Sequence, residues 1–177
     1  MRALFCSLVA AFAPTLSFAQ TSDVCGLLAR NPGWRADLSA AQTTWRVTPG
    51  TVLAVLDQES RFNPSARGAG ADGLNPVRNF GYAQANLRTW NWFLRETGKA
   101  SGSRTDFGLS ADFVGWHFAT MERRIGASRE NITAHYLAYK MGEGGYKKGA
   151  PASARAIASR IAARARGFDS QLASCPS

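Results

Sequence analysis

The sequence predicts an all-α, or at least α-rich, single domain, and three observations support this fold class. Apolar residues recur at helical spacing along nearly the whole chain, and no stretch alternates convincingly with period two. Pro, Gly and Asn separate the periodic stretches. The 177 residues are 45% hydrophobic, which is enough for one packed core, whereas two domains of half this length would each be short of core. This composition excludes long-range disorder, because a disordered chain lacks the apolar residues to fill a core.

Residues 1–19 have the features of a secretory signal peptide. Arg2 precedes an almost wholly apolar run, and residues 17–19 (Ser-Phe-Ala) have small residues at the positions that a signal peptidase reads. Cleavage after Ala19 leaves a mature domain of residues 20–177; the alternative is a buried N-terminal helix. No later apolar run approaches the roughly 18 residues needed to span a bilayer. We therefore expect a periplasmic or secreted protein without a membrane span.

Removal of residues 1–19 changes both the charge and the cysteine count. The net charge of the whole chain is +9, and it becomes +8 because Arg2 is the only charged residue removed. Cys6 is lost, which leaves Cys25 and Cys175 near the two ends. In an oxidising compartment we expect these two to form a disulfide, with two free thiols as the alternative. It would close a loop of about 150 residues and contribute on the order of 5 kcal/mol in the loop-entropy model.

Six or seven helices are predicted, with ends set by caps and breakers. The first two, at residues 22–30 and 37–45, are separated by an Asn-Pro-Gly sequence. The third starts at Thr48, an N-cap that precedes a proline, and runs to about Arg61 before an Asn-Pro pair. The later helices are expected at residues 84–97, at 110–125 with Ser110 as the N-cap, at 128–141, and from Pro151 onwards. Residues 65–80 are rich in Gly, Asn and Pro, which predicts a long surface loop with room for a small hairpin.

Glu59 lies on the apolar stripe of the third helix. The stripe has i, i+3, i+4, i+7 spacing and consists of Val52, Val55, Leu56 and Glu59. Asp57 and Gln58 are assigned to a solvated face. A carboxylate on the apolar side costs free energy unless it is paired or protonated, and desolvation favours the protonated form that a general acid requires. Glu59 is therefore a candidate catalytic acid; the alternatives are an acid paired with a nearby Arg or an acid at the rim of the core.

Three segments, in this order, carry a family resemblance. They are residues 58–66 (QESRFNPSA), 81–84 (GYAQ) and 138–142 (AYKMG), which correspond to a Glu-Ser, a Gly-Leu-Met-Gln and an Ala-Tyr-Asn-Ala-Gly motif. The sequence therefore resembles a divergent branch of the lysozyme-like lytic transglycosylases, the soluble-lytic-transglycosylase (SLT) domain. The resemblance implies a lysozyme-like α fold with a glycan groove. It covers most of the chain, from about residue 45 to 146.

The resemblance also implies roles for individual residues. Glu59 would be the sole catalytic acid and base, and Ser60 would lie near the acid and the substrate. Gln84 and the backbone of Gly81 would line the groove, and Tyr139 would hydrogen-bond towards Glu59. Tyr82 and Tyr146 are further residues that we expect to contact substrate.

Lys140 departs from the family pattern, since it replaces the usual Asn. An ammonium close to Glu59 would favour the charged carboxylate and oppose the acid role; alternatively, Lys140 points outward to bind carboxylates of peptide stems. Glu143 adds a second acid in what is expected to be a flexible loop, and it and Asp72 are the other acids placed to reach a groove. A solvated side chain is the preferred interpretation of Glu143.

The implied reaction is cleavage of the bond between N-acetylmuramic acid and N-acetylglucosamine in peptidoglycan, with a 1,6-anhydro product and no metal or cofactor. A hydrolytic muramidase is the nearest alternative. A non-catalytic wall-binding protein of a secretion or flagellar apparatus, and a basic nucleic-acid binder, are alternatives of other classes. The export signal argues against nucleic acid, so glycan strands are the expected partner, bound by a monomer.

Aromatic residues and histidines give weaker indications. Phe80, Tyr82, Trp90 and Trp92 flank the Gln84 helix, and they are expected either to stack on sugar rings or to belong to the core. His117 and His135 lie on different helices without acids or cysteines at ligand spacing, so structural roles are expected rather than a zinc site. The arginines of the last helix are expected either to attract anionic wall polymers or simply to be solvated.

Overall fold

The computed structural model describes residues 23–68 and 79–176. These residues form seven helices and no strand: α1 (Val24–Arg30), α2 (Trp34–Trp45), α3 (Pro49–Ser60), α4 (Leu87–Glu96), α5 (Phe107–Ile125), α6 (Ile132–Lys147) and α7 (Ala152–Leu172). Two isolated antiparallel bridges join Phe80 to Arg67 and to Ala85. The predicted α-rich fold is confirmed. The predicted signal peptide and Asp72 lie outside the described residues, and so does most of the predicted loop.

Several helix ends agree with the sequence, namely both ends of α3 and the C-terminal ends of α1, α2 and α5, whereas other ends differ. The Thr48 side chain accepts a hydrogen bond from the backbone of Thr51, as expected of an N-cap. Asp106, and not Ser110, caps α5, because its carboxylate accepts from the Leu109 backbone, and Ser110 is buried inside the helix. α2 begins three residues earlier than predicted, without a side-chain cap, and α6 begins four residues later, where a side-chain N-cap precedes it.

Helix α6 also continues past its predicted end. It runs to Lys147 and contains a kink at Gly142, where φ is 71°. The predicted flexible loop at residues 142–146 is therefore wrong. Glycine accepts this left-handed φ without the steric cost that other residues meet, so the helix changes direction there and then resumes.

The central helix of the domain is α3. Residues Val52–Leu56 are all fully buried, because α7, α5 and α2 pack around this helix. The solvated face that we predicted for Asp57 is therefore wrong: Asp57 is 9% exposed, and its Oδ2 accepts a hydrogen bond from Arg164 of α7 at 2.7 Å. A helix enclosed by others has apolar residues on most sides, and an acid placed there needs a partner.

The two ends of the described chain are joined covalently. Cys25 and Cys175 form a disulfide across a Cα–Cα distance of 5.3 Å, which confirms the predicted pairing. Beside it, the backbone of Val24 donates to the side chain of Gln171 at 3.2 Å. The bond fastens α1 to the end of α7. Among the described residues, no helix has the length and apolar content to cross a membrane.

Candidate functional site

A groove runs past the C-terminal end of α3, and Glu59 lies where its two parts meet. One part has a volume of about 370 Å³ and the other about 540 Å³. Both are lined by Glu59, Asn79, Gln84 and Lys140. The first part continues along α4, α5 and α6, and the second continues along residues 67–68. A chain-like ligand lying in this groove would pass the Glu59 carboxylate.

The carboxylate of Glu59 is held by two side chains of α6. Its side chain is 6% exposed. The Tyr136 hydroxyl donates to Oε1 at 2.6 Å, and the Lys140 Nζ lies 3.8 Å from Oε2. Residues 136 and 140 are four apart, so they lie on the same face of the helix. Glu59 is thus buried at the groove with one close hydrogen-bond donor and one more distant cation.

Tyr136, and not Tyr139, is the hydrogen-bond donor to Glu59. The Tyr139 hydroxyl donates instead to the Ala83 carbonyl at 2.5 Å, so the predicted hydrogen bond from Tyr139 to Glu59 is wrong. Burial and the nearby Glu59 charge raise the pKa of both tyrosines above its ordinary value. Both hydroxyls therefore keep their protons and remain donors. The i, i+4 spacing of Tyr136 and Lys140 places them on one face of α6, but the sequence does not show that this face turns towards Glu59.

A tight turn at residues 81–84 carries Gln84 into both parts of the groove. Gly81 has a φ of 78°, and a Cβ there would collide with the backbone of Arg104, so glycine is required. Gln84 Nε2 donates to the carbonyls of Ala66 and Gly81, at 2.9 and 2.8 Å. These bonds fix the amide in place, next to Glu59. Gly81 itself supports the turn and does not line the groove.

Three other residues expected near the substrate lie outside the groove lining. The Ser60 hydroxyl donates to the Leu56 carbonyl within α3 at 3.0 Å. Tyr82 packs edge-on against Trp34 and Phe107. Tyr146 packs against the hydrophobic core. Each of these side chains is engaged in structural contacts of the domain.

Glu59 is the only carboxylate that lines the groove within residues 23–68 and 79–176. Glu143 lies on α6 beyond the kink, where Lys147 and Arg124 donate to it at 2.7 and 3.1 Å. These hydrogen bonds lower the pKa of Glu143, so it stays ionised. Asp57 is committed to Arg164.

His117 lines the first part of the groove, where the sequence indicated only a structural histidine. It is 6% exposed, and its Nδ1 has no hydrogen-bond partner. Burial, with a smaller contribution from His135, lowers the pKa of His117 to about 3, so the ring is neutral. His135 is fully buried, with Nε2 3.1 Å from two backbone oxygens. In the described ranges no three His, Cys, Asp or Glu side chains are grouped to hold a metal.

The aromatic residues around the Gln84 turn have structural contacts. Trp90 is 2% exposed, and its Nε1 donates to the Gly102 carbonyl, so it belongs to the core. Trp92 packs edge-on against Trp116. Two arginine guanidinium groups lie over the Phe80 ring, 5.2 and 5.4 Å from its centroid. None of these three rings lines either part of the groove that the described residues form.

The comparisons with known proteins agree with this architecture. The sequence matches the family described as Transglycosylase SLT domain over residues 1–175, so the chain belongs to this family, as its motifs predict. Among solved structures it is similar to an inactive mutant of the lytic transglycosylase Slt from Pseudomonas aeruginosa, with a TM-score of 0.61 and 17% identity. The match covers 85% of this chain and 26% of that chain. A comparison with curated proteins finds no match. The chain therefore has the SLT fold, and it spans about a quarter of the length of Slt.

Proposed function

We propose that this protein is an exported lytic transglycosylase that cleaves peptidoglycan strands with Glu59 as its acid and base. The observation that carries the proposal is the buried Glu59 carboxylate at the junction of the two parts of the groove, with the Tyr136 hydroxyl on Oε1. Membership of the transglycosylase SLT family supports the substrate class. Gln84 and Asn79, which line both parts, supply polar side chains for the sugar substituents.

The reaction proceeds in two proton transfers. Protonated Glu59 gives its proton to the oxygen of the bond between N-acetylmuramic acid and N-acetylglucosamine, and the bond from C1 to that oxygen breaks. The acetamido group of the substrate stabilises the positive charge at C1. Glu59, now a carboxylate, takes the proton of the muramoyl 6-hydroxyl, and that oxygen bonds to C1. Water is not consumed, and Glu59 returns to its starting state.

A single acid suits this route better than ordinary glycoside hydrolysis. Most glycosidases use two carboxylates, about 5 Å apart for retention or 6.5–9.5 Å apart for inversion. Glu59 has no second carboxylate beside it in the described lining of the groove. When the substrate supplies both the stabilising group and the nucleophile, a second acid is unnecessary. The proposal includes export to the cell envelope with cleavage near Ala19 and action as a monomer, alone or with an envelope apparatus.

The Glu59→Gln variant tests the proposal. Wild type should digest purified sacculi to muropeptides that mass spectrometry finds about 18 Da lighter than their hydrated forms, because the anhydro product lacks one water. Glu59→Gln should release them at least about 100-fold more slowly, since general acid–base catalysis contributes about 10²–10⁴-fold. The control is Glu143→Gln, which alters a partly exposed acid that is already paired.

Two outcomes would contradict the proposal in different ways. Equal release by Glu59→Gln and wild type would remove Glu59 from the chemistry. Products with only reducing ends would make the protein a hydrolytic muramidase.

A non-catalytic strand-binding protein is the second candidate. The Lys140 ammonium 3.8 Å from Glu59 favours the charged carboxylate, which suits binding without proton transfer. In that case wild type would bind sacculi without turnover.

A further inference from the structure

Lys140 is held more loosely than the cations of the other ion pairs between described residues. Its Nζ lies 3.8 Å from Glu59 Oε2, beyond the usual range of an N–H···O hydrogen bond. The Arg164–Asp57 and Lys147–Glu143 pairs both close to 2.7 Å. The Lys140 side chain is 58% exposed and lines both parts of the groove. The ammonium is therefore accessible to a ligand in the groove.

The other groups that face Glu59 cannot respond to a ligand by changing charge near neutral pH. On α6, burial raises the pKa of Tyr136 and Tyr139, so both hydroxyls stay protonated. From α5, His117 reaches the groove as a neutral ring, because burial lowers its pKa to about 3. Arg67 lines the second part of the groove with its guanidinium over the Phe80 ring. Within the described residues, Lys140 is the exposed cation that is paired with the Glu59 carboxylate.

The position of Lys140 opposes the first step of the proposed reaction. A cation next to a carboxyl group favours its charged form, whereas protonation of the glycosidic oxygen requires the neutral acid. An anion in the groove would reverse this effect, because an exposed ammonium moves to the anion when its bond to the buried carboxylate is long. Peptidoglycan strands carry such an anion on the muramoyl residue, at the lactyl group or on the attached peptide. N-acetylglucosamine carries none.

We propose that Lys140 binds a carboxylate of the muramoyl side chain and that this contact withdraws the ammonium from Glu59, so that an anionic substrate switches on the acid that cleaves it. The inference rests on the proposed function and adds a recognition residue to it. Lys140 thereby selects substrate by charge. It also couples strand binding to protonation of Glu59, because one ammonium serves both carboxylates.

Three forms of the same glycan strand test the inference. They are peptide-free strands with free lactyl carboxylates, the same strands with those carboxylates converted to neutral amides, and strands that retain their peptides. For each, kcat/KM for release of anhydro product is measured from pH 5 to pH 9 with wild type and with Lys140→Asn. The control is Lys148→Asn, which removes a positive charge from an exposed residue at the end of α6, outside the groove lining.

Wild type should prefer the free-carboxylate strands to the amidated strands by about two- to fivefold at pH 7, the range of an exposed charge pair. The alkaline limb of its kcat/KM profile should lie at higher pH with the free-carboxylate strands than with the amidated strands. Lys140→Asn should cleave both at equal rates with coinciding limbs, and Lys148→Asn should behave as wild type does. If carboxylates of the peptide stem bind Lys140, strands that retain their peptides should also be cleaved faster than the amidated strands. If they are not, the lactyl carboxylate is the ligand.

Two results would overturn the inference while the proposed function stands. One is anhydro product formed by wild type at equal rates from charged and amidated strands. The other is a preference that persists undiminished in Lys140→Asn, since the substrate carboxylate would then act without Lys140. Recognition without turnover is measured with two inactive proteins, Glu59→Gln and the double variant Glu59→Gln with Lys140→Asn. The dissociation constant of each is determined for the two peptide-free strands. If wild type makes no anhydro product from any strand, the proposed function itself fails.

Discussion

Replacement of Tyr136 by Phe removes one hydroxyl and leaves the buried ring in place. That hydroxyl donates to Glu59 Oε1 at 2.6 Å, and the residue is 2% exposed. Hydrogen bonds to charged groups contribute about 1.5–3 kcal/mol to stability, so the free energy of unfolding at pH 7 should fall by about that amount. The donor also favours the charged carboxylate, and its loss favours the protonated acid.

The same change should move the pH dependence of catalysis. The alkaline limb of kcat/KM should move to higher pH, because the variant lacks a donor that stabilises the negative charge of the carboxylate. The assay is release of anhydro muropeptides from sacculi between pH 5 and pH 9.

Tyr139→Phe is the matched control. It removes a hydroxyl three residues along α6 that donates to a neutral carbonyl, that of Ala83. We expect a loss of about 0.5–1.5 kcal/mol in stability and an unmoved alkaline limb. A limb that moves with Tyr139→Phe and stays in place with Tyr136→Phe would refute the reasoning, because Tyr139 would then be the residue that acts on Glu59.

Two further predictions concern stability. His117 is held neutral, and its pKa is lowered from 6.5 to about 3, so the unfolded state binds the extra proton as the pH falls below 6.5. The free energy of unfolding of wild type, measured with urea, should therefore fall by about 2 kcal/mol between pH 7 and pH 5. His117→Gln should not show this fall, and an equal pH dependence in the two proteins would contradict the prediction. Cys25→Ser with Cys175→Ser should lower the unfolding free energy by up to about 5 kcal/mol. Reductant should destabilise wild type and not this variant; an insensitive wild type would contradict the role of the disulfide.

Local patterns in the sequence predicted much of the fold because the interactions behind them are local. The Thr48 cap and the proline after it located the start of α3, and the apolar stripe placed Glu59 on its buried side. The cap of α5 was assigned to Ser110 instead of Asp106, because both residues can cap a helix and only the backbone path distinguishes them. The solvated face assigned to Asp57 was wrong because a single helix does not reveal how many neighbours will surround it.

The amino-acid sequence by itself determined the α-rich fold class, the SLT family and Glu59 as the candidate acid, since periodicity, caps and short motifs are written along the chain. Only the tertiary structure decided which groups meet Glu59. Tyr136, Lys140 and Tyr139 lie 77, 81 and 80 positions further along the chain than Glu59. α6 packs on α5 and α7, which also pack on α3, and in this arrangement the first two side chains meet the carboxylate whereas Tyr139 meets Ala83. Distances of this kind depend on how helices pack, and local sequence signals carry no information about them.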